Sequence, residues 1–175
     1  MVTWYTGLIL LVAVVRLAEL RISARHVRLA RARGGIEAGA SHYPAMVALH
    51  AGFLVACPAE AWLFDRPWIP ALGVPMLGLL GGAFAMRGWA IAALGDRWST
   101  RVICVPGDRL VSKGPYRWMR HPNYLAVGVE MLALPLVHTA WLTAVVFSAL
   151  NALVLTDRIR IENAALARYC VPERR

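Results

Sequence analysis

Apolar residues fall in blocks long enough to cross a bilayer, and the segments between them hold nearly all the charge. A helix rises ~1.5 Å per residue, so about 20 apolar residues cover a hydrocarbon core of about 30 Å. Residues 2–20 meet that length and predict a first span. Arg16 and Glu19 lie three apart near its end, on one helix face where they can pair, and Arg16 can also snorkel toward the interface. Beyond it Arg21, Arg25 and Arg28 recur at helical spacing. The helix is therefore expected to leave the bilayer and lie against anionic headgroups until Gly34 and Gly35 end it.

A second span is predicted at 43–63 and a third at 68–94, with so short a turn between them that they should form an antiparallel pair. His50 and Glu60 sit in or near the second span, where ionisable groups are expensive and mark functional candidates, although a structural histidine is the simpler reading of His50. Gly78 and Gly82, with Gly81 between, form a small-residue pair that permits close helix packing in lipid. No strand precedes them, which excludes a nucleotide-binding loop. Residues 95–122 form the longest polar stretch, with turns at Pro106–Gly107 and Gly114–Pro115. The last apolar block, 123–156, would run ~50 Å as one helix, too long for one crossing and short for two. Pro135 and His138 divide it, predicting a hairpin of two short tilted helices, and 157–175 reads as a separate amphipathic helix.

Charge decides between four spans and five. Of the 19 Lys and Arg, 17 fall in three segments, 21–42, 87–122 and 157–175; Arg16 and Arg66 remain. Five spans put all three segments on one side, which the positive-inside rule makes cytoplasmic, with the N-terminus outside. A four-span chain would strand the last group on the wrong side.

Composition agrees with this picture. The chain is 59% hydrophobic and 17% charged, against about 45–50% and about 25% for soluble domains. Its 175 residues suit a single domain, 1–86 carrying the N-terminal spans and 87–175 the polar chemistry. The fold class is thus an all-α integral membrane protein in the cell membrane. The net charge of +9 is accounted for by topology and leaves no solvated basic face for nucleic acid; the expected partners are membrane lipids. Cys57, Cys104 and Cys170 are odd in number and widely spaced without a CxxC, so neither a disulfide framework nor a metal site is expected. The N-terminus lacks a basic n-region and a cleavage site, and is read as a retained span.

The polar chemistry gathers at the two ends of the final hairpin. One end holds Arg117, Arg120, His121, Asn123 and Tyr124; the other holds Arg158, Arg160, Glu162 and Asn163. A hairpin brings its ends together, so Arg120 and Glu162 become neighbours, either as an interfacial salt bridge or as working groups. Gly114–Pro115 can present backbone to a ligand, and a helix starting at Pro122 offers unsatisfied N–H groups to a carboxylate. An amino-acid-like cofactor tail and a lipid headgroup both suit such a start.

At these residues the chain resembles the isoprenylcysteine carboxyl methyltransferase family. The stretch that carries the resemblance is LVSKGPYRWMRHPNYLA, residues 110–126, with LGDRWS at 94–99 upstream and RIRIENAAL at 158–166 downstream. The resemblance implies S-adenosyl-L-methionine as cofactor, with Val111, Gly114, Pro115, Tyr116, His121, Pro122 and Tyr124 at cofactor-binding positions and Arg120 and Glu162 acting at the acceptor. Many members carry two consecutive acidic residues in the tail; here Asn163 follows Glu162. Methyl transfer from a sulfonium is an in-line displacement governed by positioning and desolvation. An ionised carboxylate needs no base; a weakly acidic enol or phenol would also be mostly ionised near neutral pH, or could use His121 or Glu162 as base. The lipophilic acceptor would enter sideways from the bilayer. The chain is similar to a subgroup associated with alkylpyrone lipids, and a prenylcysteine is the other acceptor class. Two rivals are a membrane reductase of the sterol type, which would bind NADPH, and a lipid-binding protein without chemistry.

Overall fold

The computed structural model describes residues 2–171. Arg174 and Arg175, counted above in the last basic segment, lie outside the described residues. Five α-helices carry the fold: α1 Thr3–Ala32, α2 Tyr43–Leu63, α3 Pro70–Leu94, α4 Pro122–Leu136 and α5 Trp141–Tyr169. Among the described residues, three segments are long and apolar enough to cross a membrane, Ala40–Leu63, Pro70–Arg97 and Trp141–Tyr169. α4 is shorter, ~22 Å at the helical rise. α1 runs on past its apolar part as the arginine spacing predicts. It stops where Gly34 takes φ +79° and where a Cβ on Gly35 would stand 2.7 Å from the Ala30 carbonyl.

Several expectations need correction. The polar tail is no separate helix: α5 continues without a break from the apolar block to Tyr169, because no Pro or Gly interrupts 141–169. α2 and α3 are consecutive, yet α2 turns toward α5 and α1 while α3 packs on α4. An added Cβ at Gly78, Gly81 or Gly82 would meet nothing within 4 Å. The close approach is at Gly73 instead, where it would lie 2.8 Å from the Val137 carbonyl on the α3–α4 side. The chain is also not purely helical. Ile36–Ala38 (β1) pairs antiparallel with Val102–Cys104 (β2), tying the end of α1 to the 95–121 stretch.

That pairing gathers the basic segments at one end of the molecule. Arg33 bonds Asp108 at 2.7 Å, Arg101 bonds Glu37 at 2.6 Å, and Arg158 of α5 reaches the Thr100 carbonyl at 2.6 Å. Arg87 is the exception. It is buried within α3 and belongs to the interior rather than to the basic surface. Burial alone would raise the Glu37 carboxyl, but hydrogen bonds from Arg101 and Arg31 outweigh it and hold Glu37 below the usual range.

The opposite end is closed by aromatic and capping contacts. Tyr5 is fully buried, donates to the Leu134 carbonyl at 3.1 Å and stacks on His138. Glu60, a functional candidate by sequence, has a structural task. Its carboxylate crosses from α2 to accept from the N–H groups of Leu142 (3.2 Å) and Thr143 (2.6 Å), capping α5, while Arg66 neutralises it at 2.9 Å.

Candidate functional site

Among the described residues, two cavities of several hundred Å³ lie between the helices, and they differ in character. A polar one of about 410 Å³ sits at the basic end, walled by α1, the 94–121 stretch and the last turns of α5. An apolar one of about 370 Å³ lies deeper, among all five helices. Ser99 borders both.

The partition between them is built from α4 and α5. His121 caps α4 and Pro122 begins it, which throws Tyr124 one turn inward. The His121 ring stacks on Tyr124 with centroids 5.2 Å apart. Tyr124 donates its hydroxyl to Glu162 of α5 and accepts from Arg158 Nε at 2.8 Å. Four residues separate Arg158 from Glu162, one helical turn, so both reach one phenol. His121 Nε2 lies 3.0 Å from Asn163 Oδ1, and its Nδ1 lies 3.8 Å from Glu162. Asn163 therefore meets the imidazole as a neutral amide.

Each residue singled out by sequence can now be placed. Val111, Tyr116, Arg120, His121 and Glu162 line the polar cavity. Tyr124 borders the apolar one. Gly114, Pro115 and Pro122 line neither. Gly114 adopts φ +60°, and a Cβ there would stand 2.9 Å from the Ala93 methyl, so its part is to lay the loop against α3. Pro115 and Pro122 are fully buried. Arg120 and Glu162 face the same cavity, but among the described residues no ion pair joins them; Glu162 meets Tyr124 and His121 instead. Burial, reinforced by the Glu162 charge, pushes the Tyr116 phenol up and keeps it a neutral donor.

Of the polar wall of the deeper cavity, the sequence reading held only the Arg16–Glu19 pair, which the structure forms. Arg87 of α3 grips Glu19 of α1 with two bonds of 2.8 Å and bonds Asn123, at the start of α4, at 2.9 Å. Arg16 bridges Glu19 and Glu130 of α4. Five residues from three helices thus form one buried network, and α1 is held to α3 and α4 across the cavity by these ions. Arg158 differs from its neighbours. Its three contacts are the Tyr124 hydroxyl, the Met46 sulfur (3.3 Å) and the Thr100 carbonyl, and among the described residues no carboxylate pairs with it. Charges inside apolar runs were the available signal for Arg16 and Glu19. Their partners on α3 and α4 stand 68 and more residues away, beyond the reach of spacing.

The sequence profile of the Isoprenylcysteine carboxyl methyltransferase (ICMT) family matches residues 76–168, which contain the partition and most of the polar cavity wall. An uncharacterized protein of Bacillus subtilis, YpbQ, is 38% identical over 167 residues, 94% of this chain and 97% of that one. An uncharacterized protein of Haemophilus influenzae is 28% identical over 156 residues, 87% of this chain and 89% of that one.

Proposed function

The chain belongs to the isoprenylcysteine carboxyl methyltransferase family, and from that premise we propose an integral membrane O-methyltransferase. It uses S-adenosyl-L-methionine and acts on a carboxylate or acidic hydroxyl of a lipophilic acceptor, isoprenylcysteine-like or alkylpyrone-like. The observation that carries the reading is the pair of cavities, one polar and one apolar, meeting at Tyr124, Arg158 and Glu162.

The donor set of the polar cavity suits a zwitterionic cofactor with a flat ring. Arg97 and Arg120 can take a carboxylate, Asp96 and Glu162 can take an ammonium or hydroxyls, and Leu110, Val111 and Tyr116 offer a face for a ring. When bound, the cofactor supplies a methyl group on a sulfonium. The protein's own residues do the rest by orientation. Tyr124, clamped between Glu162 and Arg158, sets the distance between the two ligands. Arg158 offers an unspent cation to an anionic acceptor. The apolar wall of Leu17, Leu20, Val47 and Leu54 takes the lipid tail and excludes water from the displacement. Leu17, Leu20 and Val47 are exposed outward, so the tail can enter from the bilayer between α1 and α2. The basic end faces the cytoplasm, where the cofactor is dissolved.

Equilibrium binding to the purified protein in detergent tests the reading. Labelled S-adenosylmethionine should bind and NADPH should not, and Arg120→Ala and Glu162→Ala should each abolish methyl transfer to lipid extract while the protein still inserts. Binding of NADPH alone would identify a reductase; near-normal turnover in both variants would remove the proposed mechanism.

A further inference from the structure

His50 lies on α2, on the wall of the apolar cavity, outside the stretch that the family profile covers. Its Nδ1 is 2.8 Å from the Met46 carbonyl. A carbonyl oxygen only accepts, so Nδ1 carries the hydrogen. In the neutral ring Nε2 is then a bare lone pair. Among the described residues no hydrogen bond engages Nε2, and the ring opens on the cavity. Met46, one helical turn away, touches Arg158 through its sulfur, and Arg158 holds the Tyr124 hydroxyl. His50, Tyr124 and Arg158 therefore border one cavity, with Met46 between the ring and the partition. An acceptor seated in that cavity meets the bare Nε2 and the Arg158 cation from one space, the arrangement that proton transfer during methyl attack requires.

We propose that His50 is the general base for a hydroxyl acceptor. This rests on the methyltransferase reading above and narrows it to hydroxyls that stay protonated near neutral pH, such as phenols. The acceptor oxygen bonds the methyl carbon, and the carbon–sulfur bond breaks with its electron pair going to sulfur. The O–H proton passes to Nε2, and the imidazolium later releases it to water. A carboxylate acceptor would have no proton to give, and a bare imidazole would do nothing for it. The charged and titratable groups that face the ring are Arg16 and Glu19 of α1, Arg87 of α3, Tyr124 and Glu130 of α4 and Arg158 of α5, with Tyr43 on its own helix. Glu19 and Glu130 are spent on Arg16 and Arg87. Among the described residues, the charge on this wall without a carboxylate partner is the Arg158 guanidinium.

Two measurements decide the matter on the full-length protein in detergent. The first uses no turnover. The ¹⁵N spectrum of histidine-labelled protein, assigned by difference with His50→Gln, should show a protonated Nδ1 and an unprotonated Nε2 at neutral pH. A protonated Nε2 overturns the proposal. The second compares a long-chain alkylphenol, still protonated near neutral pH, with a farnesylcysteine as acceptor. His50→Gln should lower kcat for the hydroxyl acceptor ~100-fold or more and remove the rise of rate with pH that wild type shows as its imidazole loses its proton. Affinity for S-adenosylmethionine should be unchanged. Equal loss on both acceptors, turnover of the carboxylate alone, or a variant within threefold of wild type on the phenol would each overturn it while leaving the methyltransferase reading intact. Wild type that binds no S-adenosylmethionine would instead sink that reading, and the spectrum would still report on the tautomer.

Discussion

Arg87→Met tests whether the buried ions hold α1 in place. The change removes two bonds to Glu19 and one to Asn123, all between 2.8 and 2.9 Å, and keeps the length of the side chain. Two magnitudes compete. Hydrogen bonds between membrane helices average only ~0.6 kcal/mol, because separated helices in lipid find other partners. Removing one partner of a buried ion pair costs about 3–5 kcal/mol, because the other charge is left behind. The second should win here. Arg87 and Glu19 have side chains only 8% and 12% exposed, and Arg16, which remains, must already serve Glu130. A loss of about 3 kcal/mol is expected, at the lower end since Arg16 still partly compensates Glu19. Reversible unfolding in mixed micelles, followed by tryptophan fluorescence, gives the number. Glu19→Gln combined with Arg87→Met removes both charges and should be more stable than the sum of the single losses. A single-variant loss under about 1 kcal/mol, or strict additivity in the double variant, would refute the coupling.

Three further outcomes follow from the same structure. Glu60→Ala should cost about 2 kcal/mol by uncapping α5 and orphaning Arg66, with the S-adenosylmethionine dissociation constant unchanged; a binding defect equal to the stability defect would contradict a purely structural part. Glu37 titrates below its unfolded value, so its contribution is present above the ordinary carboxylate range and lost as pH falls through the folded value. Unfolding midpoints measured from neutral to acid pH should accordingly drop less steeply in Glu37→Gln than in wild type. Tyr124→Phe releases Glu162 and Arg158 together, and should lower kcat about 10–100-fold with cofactor affinity held within threefold; a change confined to KM would show that the phenol only binds.

Much of this was legible along the chain because it is local. The bilayer sets a length and an apolar content for a crossing helix, and residues 43–63 and 68–94 announce α2 and α3 nearly to the residue. Glycine punctuation ends α1 for an equally local reason, the left-handed backbone at Gly34. The GPYRWMRHPNYL stretch declares its chemistry by the density of polar side chains beside an apolar block. What the chain could not declare is who meets whom. Small residues at Gly78 and Gly82 promise a close contact in any sequence, but which face turns inward depends on the other helices, and here that face is open. Arg120 and Glu162 share a cavity as the hairpin requires, yet Tyr124 stands at the carboxylate, because the turn at Pro122 swings it there. Glu60 looked like a site and is a cap. Arg87 looked like part of a basic surface and is the centre of a buried network. Pairings across 68 to 114 residues cost chain entropy and are fixed only when helices dock and each buried ion must find its counter-ion. The sequence by itself determined the helices, their order and the residues with chemistry to offer; the tertiary structure decided which of them share a cavity, since desolvation makes partners compulsory only after the bundle closes.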